Sequence, residues 1–264
     1  MLMEIRGLRL AFERDGEPVE ILHGVDLDVA PGELVALVGE SGSGKSTTVR
    51  AALRLYGEEA ALAGSIRIDG TEMVGASSGT IRGVRAESVA FVQQDPRAAL
   101  NPVRRIGDSL AERLTRVHGW SRRRALERIV ELLRSVGISQ PEHRVRQYPH
   151  ELSGGMLQRV VIAAALSTDP KLILADEATS ALDVTTQAEV LAIFQRQIRE
   201  RGLGMLLITH DLHLAAASCD RIYVLREGEI VETLARPGLF AGASHPYTRS
   251  LIETAPVMNR RADA

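Results

Sequence analysis

A nine-residue segment, Gly39–Thr47, combines glycines, a lysine and hydroxyl side chains at a spacing suited to binding phosphate. It matches the phosphate-binding loop pattern G-x-x-x-x-G-K-[ST]. Gly42 and Gly44 allow backbone conformations in which successive N–H groups point at phosphate oxygens. Lys45 can reach the outer phosphates, and the Ser46 hydroxyl is placed to ligate Mg²⁺. The motif predicts nucleotide binding by Gly39, Glu40, Ser41, Gly42, Ser43, Gly44, Lys45, Ser46 and Thr47.

The sequence on either side of this loop fits the same chemistry. The apolar run Leu34–Val38 precedes the loop and predicts a buried strand, while helix-forming residues 49–53 follow it. A helix that begins near Lys45 directs the positive end of its dipole at the bound anion. The alternative is a glycine- and serine-rich connection that binds nothing. The complete spacing and both flanking elements favour phosphate binding.

Two carboxylates follow a second apolar strand. Residues Leu172–Ala175 predict a buried strand, and Asp176 and Glu177 come directly after it. Ligands of open parallel sheets bind at the carboxyl ends of the strands, where this pair would lie beside the phosphate loop. Asp176 is then suited to hold Mg²⁺, and Glu177 to polarise an attacking water as a general base. An acidic pair alone could also cap a helix, but its combination with the phosphate loop favours the metal and the base.

Two further segments could contact phosphate. His210 follows a third apolar strand, Met205–Ile208, so it could reach the terminal phosphate, although a single histidine is more often structural. Residues Leu152–Arg159 form a serine- and glycine-rich loop that opens onto a helix, and free N–H groups at a helix start bind anions. Two phosphate-binding helix starts in one chain suggest that two such chains enclose the nucleotide between them.

The elements that would position these residues follow from hydrophobic periodicity. Residues 3–38 alternate apolar and polar positions, which predicts half-buried strands with a turn at residues 14–18. A loop is expected at residues 77–79 and a short helical tail at residues 241–251. From Leu152 onward, helical and strand patterns alternate, which predicts a parallel sheet with helices on both faces.

Residues 104–134 differ in character from the rest of the chain. Their apolar residues fall at helical spacing, and the segment holds nine arginines against four acidic residues. A solvated helix face accounts for this excess of charge. A docking surface for another protein near a membrane is the alternative.

The composition bounds the class of protein. The chain of 264 residues suits one large domain or two small ones, and 45% hydrophobic with 25% charged residues is ordinary for a globular protein. A net charge of −2 gives no reason to expect a nucleic-acid partner. The single cysteine, Cys219, allows no internal disulfide framework, which fits a reducing cytosol. No apolar stretch approaches the ~20 residues needed to cross a bilayer, so membrane association would come through a partner.

Taken together, these motifs resemble the ATP-binding subunit of ABC transporters. The resemblance is carried by the phosphate loop, Gln94, Leu152–Arg159, Leu172–Glu177, Ser180–Asp183 and His210, in the family's order and spacing over about residues 3–235. It implies an α/β P-loop NTPase of ABC type, with a mostly parallel sheet core, an antiparallel β subdomain and an inserted α-helical subdomain. The expected single domain divides into a core of residues 1–94 and 151–235, a helical subdomain of 95–150 and a tail of 236–264.

The resemblance also assigns roles around a bound ATP and Mg²⁺. Phe12 is similar to the aromatic residue that stacks on adenine, with a core strand residue as the alternative. Gln94 resembles the glutamine that touches magnesium and water, and His210 resembles the histidine that senses the γ-phosphate. The implied catalytic residues are Glu177, His210 and Gln94, and the implied magnesium ligands are Ser46, Gln94 and Asp176.

Other residues are expected to act across a dimer interface. Ser153, Gly154 and Gly155 would contact the γ-phosphate bound to the opposite subunit, and Asp183 would lie at the interface. ATP-driven closure of a head-to-tail ATPase pair, followed by hydrolysis and reopening, would move two permease subunits between inward- and outward-facing states. An extracytoplasmic substrate-binding protein would deliver the substrate. The chain would sit peripherally on the cytoplasmic face of the inner membrane.

Finer features resemble the dipeptide, oligopeptide and nickel importer branch. They are residues 94–96, residues 100–102, Met156 after Ser153–Gly155, and His245–Thr248. Met156 is similar to the residue in the first of two paired ATPases, which implies a related but distinct partner chain. The sequence near Pro256 has none of the cysteines that some peptide importers carry there, which slightly favours nickel or a metallophore. The expected substrate is a peptide or a chelated metal.

Three other functions fit parts of the pattern. A soluble ABC-type ATPase of an enzyme complex, such as carbon–phosphorus lyase, resembles the same branch, and no sequence feature excludes it. A DNA-repair or chromosome-organising ATPase would need a long coiled-coil insertion, for which residues 95–150 are too short. A binding module without turnover is disfavoured by the intact pair Asp176 and Glu177.

Overall fold

Ten strands and nine α-helices follow one another in the structure, a computed structural model that describes residues 1–14, 16–57, 59–178, 182–235 and 242–254. The strands are β1 (Met3–Arg14), β2 (Glu17–Val29), β3 (Leu34–Val38), β4 (Ala60–Ile68), β5 (Thr71–Glu72), β6 (Val89–Val92), β7 (Leu172–Asp176), β8 (Gly204–Thr209), β9 (Arg221–Arg226) and β10 (Glu229–Ala235). The helices are α1 (Lys45–Ala52), α2 (Ser78–Glu87), α3 (Ile106–Arg116), α4 (Arg122–Ser135), α5 (Pro141–Arg144), α6 (Gly154–Leu166), α7 (Val184–Arg201), α8 (Leu212–Ser218) and α9 (Pro246–Thr254).

The larger sheet has six strands in the order β10-β9-β3-β8-β7-β6, and only β10 is antiparallel to its neighbour. Every residue of β3, β7 and β8 is buried. Strands covered on both faces read as continuous apolar runs, which is why the sequence revealed them. Since β3, β8 and β7 are parallel neighbours, the segments that follow them meet at one edge of the sheet.

The second sheet is antiparallel, with the strand order β2-β1-β4-β5. β1 buries alternate residues, which matches the predicted half-buried pattern. The register between β1 and β4 shifts between Arg6 and Arg9, beside two glycines. A Cβ atom at Gly64 would lie 2.4 Å from the carbonyl oxygen of Gly7, so the two backbones approach too closely there for any other residue.

The helices between β6 and α6 pack on one face of the larger sheet. α3 buries Ile106, Leu110 and Leu114, and α4 buries Ile129 and Leu133, at the three- and four-residue spacing of a helix face. These side chains belong to the same apolar core as residues of β3, β7 and β8. The predicted architecture of a parallel core, an antiparallel sheet and an inserted helical part is therefore confirmed.

The arginines of this helical part are largely paired. Arg104 and Arg116 both contact Glu112, and Arg122 contacts Asp108. Exposed ion pairs of this kind contribute little to stability. They agree with the interpretation of the charge excess as a solvated face.

The structure differs from the local expectations in four places. The loop expected at residues 77–79 is the start of α2, where the Ser77 side chain accepts a hydrogen bond from the N–H of Thr80. Only Ile81 and Val84 of α2 are buried, so the helix has almost no apolar stripe to reveal it. The turn expected at residues 14–18 is shorter, because β1 continues to Arg14 and β2 already begins at Glu17. β10 was not anticipated, and α9 begins only at Pro246; Ala241 lies outside the described residues.

The largest fully buried side chain, Phe194 on α7, provides a test of the core. Replacing Phe194 with alanine is expected to lower the free energy of unfolding by about 3–5 kcal/mol, because it leaves a cavity and removes apolar contacts. Denaturant unfolding measures this loss. The matched control is Val103→Ala at a side chain that is 79% exposed, for which a change below about 0.5 kcal/mol is expected. A loss for Phe194→Ala as small as that of the control would contradict this packing.

Candidate nucleotide-binding site

The phosphate loop joins β3 to α1. Its last glycine, Gly44, is the N-cap of α1 and adopts a left-handed backbone conformation with φ of 106°. A Cβ atom at Gly39 would lie 2.2 Å from the carbonyl oxygen of Leu225, so the first residue of the loop must be glycine. On the same side, the N–H of Gly228 donates to the carbonyl oxygen of Ser43 at 2.9 Å. The turn between β9 and β10 therefore supports the loop from one side.

Lys45 lies inside this loop. Its ammonium group donates hydrogen bonds to the carbonyl oxygens of Gly39 at 2.8 Å and Glu40 at 2.6 Å. Burial lowers the pKa of Lys45, and the negative charges of Glu177 and Asp176 partly offset that effect. The loop thus holds a buried cation close to two carboxylates at the end of the sheet.

Ser46 and Asp176 meet at the start of α1. The Ser46 hydroxyl donates to Asp176 Oδ1 at 2.7 Å, and Asp176 is almost fully buried at the end of β7. Arg50 also approaches this carboxylate, with 3.9 Å between Arg50 Nη2 and Asp176 Oδ2. Mg²⁺ prefers oxygen ligands and usually retains several waters, so a hydroxyl, a carboxylate and phosphate oxygens would suit it. Among the described residues, no group of three or more His, Cys, Asp or Glu side chains could hold a metal ion.

Glu177 lies between Gln94 and His210. Gln94 Nε2 donates to Glu177 Oε2 at 3.1 Å, and His210 Nδ1 lies 3.6 Å from Glu177 Oε1. The backbone of Glu177 has φ of 48°, a left-handed conformation that is rare for residues other than glycine. Where it does occur, it is often at a functional site. The Glu177 side chain is 25% exposed, so its carboxylate is open to water. Three strand ends thus bring a base candidate, an amide and an imidazole together.

The structure does not place Ser153 and Asp183 in that group. Ser153 is the N-cap of α6, where its hydroxyl accepts from the N–H of Met156 at 3.4 Å. Asp183 is the N-cap of α7, and hydrogen bonds from the hydroxyl and N–H of Thr186 lower its pKa. A Cβ atom at Gly155 would lie 3.1 Å from Thr186 Cγ2, so the Ser153–Gly155 loop packs against the start of α7. Ser180, part of the Ser180–Asp183 motif, lies outside the described residues.

Phe12 makes an aromatic contact that the sequence did not reveal. Its ring packs edge-on against Tyr56, with centroids 5.1 Å apart and an interplanar angle of 81°. Phe12 is half-buried on the apolar core of the antiparallel sheet. This environment supports the alternative that Phe12 is a core strand residue.

Tyr247 on α9 is a contact of the phosphate loop that sequence reasoning missed. Its hydroxyl accepts a hydrogen bond from the N–H of Glu40 at 3.0 Å. In the sequence, His245–Thr248 stands out only as a feature shared with the importer branch. No local pattern could have shown that this side chain reaches a loop 207 residues away.

A comparison with family models matches residues 22–180 to the family described as ABC transporter. An oligopeptide transport ATP-binding protein of Bacillus subtilis, AppD, is 40% identical over 264 residues, which cover 99% of this chain and 80% of that protein. The chain therefore belongs to the ABC transporter family, as an ATP-binding domain of the kind found in such transporters. The family predicted from the sequence motifs is confirmed.

A second relative is longer than this chain. The oligopeptide transport ATP-binding protein OppD of Mycobacterium tuberculosis is 44% identical over 257 residues. These cover 97% of this chain but 42% of that relative, so the chain spans less than half of its length.

Solved structures share the fold. The dimeric ATP-binding cassette MJ0796, in a post-hydrolysis state bound to ADP and Pi, has 27% sequence identity and a TM-score of 0.78. The match covers 89% of this chain and 99% of that cassette. The likeness places the described strands and helices in the fold of ABC cassettes, as the sequence predicted.

Proposed function

We propose that this chain is an ATPase that binds ATP with Mg²⁺ at Gly39–Thr47 and powers the import of a peptide through a membrane permease. The observation that carries the proposal is the position of Glu177 between Gln94 and His210, at the sheet edge that also holds the phosphate loop. The names of the relatives, both oligopeptide transport ATP-binding proteins, support the same function.

The chain's own residues supply most of the chemistry. The phosphate loop and Lys45 neutralise and orient the phosphates. Glu177 accepts a proton from the attacking water, Gln94 orients that water, and His210 contacts the terminal phosphate. Ser46 and Asp176 would hold Mg²⁺, which would neutralise negative charge on the phosphates.

Turnover is proposed to require a second, related ATPase chain. Ser153, Gly154 and Gly155 would contact the γ-phosphate of the opposite subunit, and Asp183 would lie at that interface. The exposure of Ser153, Gly154 and Asp183 supports this role, and so does the dimeric cassette named above. Greater affinity of ATP for the closed pair then shifts the population toward closure, and hydrolysis reverses that shift. Two permease subunits would convert the cycle into transport, and an extracytoplasmic binding protein would supply the substrate.

A peptide is the proposed cargo, in preference to nickel or a metallophore. The missing cysteines that favoured a metal are a weak signal, whereas the relatives are named for oligopeptide transport. The same names argue against the soluble enzyme-complex ATPase. No helix among the described residues is long and apolar enough to span a membrane. The chain is proposed to act peripherally, on the cytoplasmic face of the inner membrane.

Ser46 offers a test of the magnesium site. Ser46→Ala is expected to raise the Mg²⁺ concentration that gives half-maximal ATP hydrolysis by about tenfold, because it removes one oxygen ligand. A magnesium titration of the hydrolysis rate measures the effect. Ser78→Ala, at an exposed serine of α2, is the matched control and should leave the titration unchanged. An unaltered magnesium requirement for Ser46→Ala would remove Ser46 from the metal site.

Purification of the complex tests the importer itself. Tagged Glu177→Gln chain, with ATP and magnesium, is recovered from detergent-solubilised membranes of the cells that make it. The expected result is co-purification of two permease subunits and a second ATPase. Recovery only from the soluble fraction, together with enzyme subunits and no permease, would overturn the transport function and leave ATP hydrolysis standing.

A further inference from the structure

Helix α9 makes a direct polar contact with the phosphate loop. The Tyr247 hydroxyl accepts a hydrogen bond from the N–H of Glu40 at 3.0 Å. Tyr247 is 9% exposed, and the Arg226 guanidinium lies 5.0 Å from the centre of its ring. A side chain confined by burial and by a cation–π contact loses little further freedom in making this bond. The hydroxyl is therefore a fixed acceptor.

The segment that leads into α9 is anchored to the larger sheet. Glu232 on β10 accepts hydrogen bonds from the N–H of Ser244 at 2.6 Å, the hydroxyl of Ser244 at 2.7 Å and the N–H of His245 at 3.2 Å. Burial raises the pKa of Glu232, but the side chain of Thr248, together with these hydrogen bonds from Ser244 and His245, lowers it to about 2. Glu232 is thus ionised at neutral pH, and it ties the segment just before α9 to β10.

The residue whose N–H contacts Tyr247 also contacts the lysine of the loop. The carbonyl oxygen of Glu40 accepts hydrogen bonds from Lys45 Nζ at 2.6 Å and from the N–H of Ser43 at 3.2 Å. One residue thus has its N–H fixed by α9 and its carbonyl group facing Lys45. If the N–H lost its partner, this exposed part of the loop could take other conformations. Fixing it reduces the entropy that the loop loses when it closes on a phosphate.

We propose that Tyr247 is a positioning residue, through which α9 holds the phosphate loop ready to bind ATP. The effect on ATP affinity rests on the proposed function, whereas the contact between Tyr247 and Glu40 does not. The loss of one neutral hydrogen bond of about 1 kcal/mol weakens binding about fivefold. By linkage, ATP must then strengthen the docking of α9 by the same factor.

The first arm of the test measures the contact without nucleotide. Amide hydrogen exchange at Glu40 is compared between the full chain and Tyr247→Phe, which keeps the ring and removes the hydroxyl. Exchange at Glu40 should become about fivefold faster, because the N–H has lost its acceptor. The matched control is Tyr223→Phe, which removes a buried hydroxyl that accepts from the N–H of Asp28 at 3.2 Å. Tyr223→Phe should leave the exchange rate of the Glu40 amide unchanged. An exchange rate at Glu40 that is the same in the original chain and in Tyr247→Phe would overturn the inference.

The second arm measures the consequence for ATP. Tyr247→Phe should raise the Kd and the KM for ATP about fivefold and leave kcat within about twofold, since the residue acts on binding. Tyr223→Phe should destabilise the fold without changing either constant. If the original chain binds ATP and Tyr247→Phe has the same Kd and KM for ATP, the positioning role would be overturned. If the original chain did not bind ATP, the proposed function would fail, and the exchange rate at Glu40 would still decide whether Tyr247 holds the loop.

Discussion

Replacement of Glu177 by glutamine is expected to slow ATP hydrolysis by about 10²- to 10⁴-fold, the usual contribution of a positioned general base. The amide cannot accept the proton of the attacking water, whereas it retains the shape of the side chain. Gln94 and His210 can still contact it. ATP binding should therefore persist, and the variant should accumulate with ATP bound. Single-turnover hydrolysis and an ATP titration measure the two quantities separately.

The matched control for this change is Glu229→Gln, at an exposed glutamate of β10. It makes the same chemical substitution and should leave the hydrolysis rate unaltered. Hydrolysis by Glu177→Gln within about tenfold of the original rate would show that another group accepts the proton. Because Glu177 has a positive φ, a substitution there could also disturb the local backbone. Circular dichroism should therefore show that the variant folds like the original chain.

Replacement of Lys45 by alanine is expected to weaken ATP binding by about 10- to 100-fold, the value of a hydrogen bond to a charged group. Lys45 is nearly fully buried in the loop, with its ammonium group near the phosphate-binding backbone. Removal of this cation leaves the phosphate charge to the backbone N–H groups and to Mg²⁺. Equilibrium titration with a fluorescent ATP analogue measures the loss.

The chain provides a matched control for this variant because Lys171 is its other lysine. Lys171 lies at the surface and pairs with Asp69, with 2.7 Å between Lys171 Nζ and Asp69 Oδ2. Lys171→Ala should leave the affinity for ATP unchanged. Equal affinities in the two variants would mean that the nucleotide binds elsewhere.

The sequence was informative where the physical signal is local. The buried strands β3, β7 and β8 are continuous apolar runs, and the residues that follow each run include Lys45, Asp176, Glu177 and His210. A parallel sheet brings strand ends to one edge, so the grouping of these residues could be predicted before any coordinates. Their hydrogen bonds agree with that expectation.

The sequence was uninformative where the contact joins distant parts of the chain. The bond from Glu40 to Tyr247 and the packing of Phe12 against Tyr56 depend on tertiary arrangement, which periodicity does not encode. Helix α2 was missed for a different reason, because it has only two buried residues. The roles of Ser153 and Asp183 stay predictions, since in one chain both side chains serve as helix caps.

Uptake of a labelled oligopeptide by cells that make this protein tests the central claim most directly. Cells that lack the chain should lose most of the uptake, and the original chain should restore it. Glu177→Gln, made in equal amount, should not restore it, whereas the control Glu229→Gln should. Uptake of the peptide that persists without the chain, or a loss of nickel uptake in its place, would contradict the account.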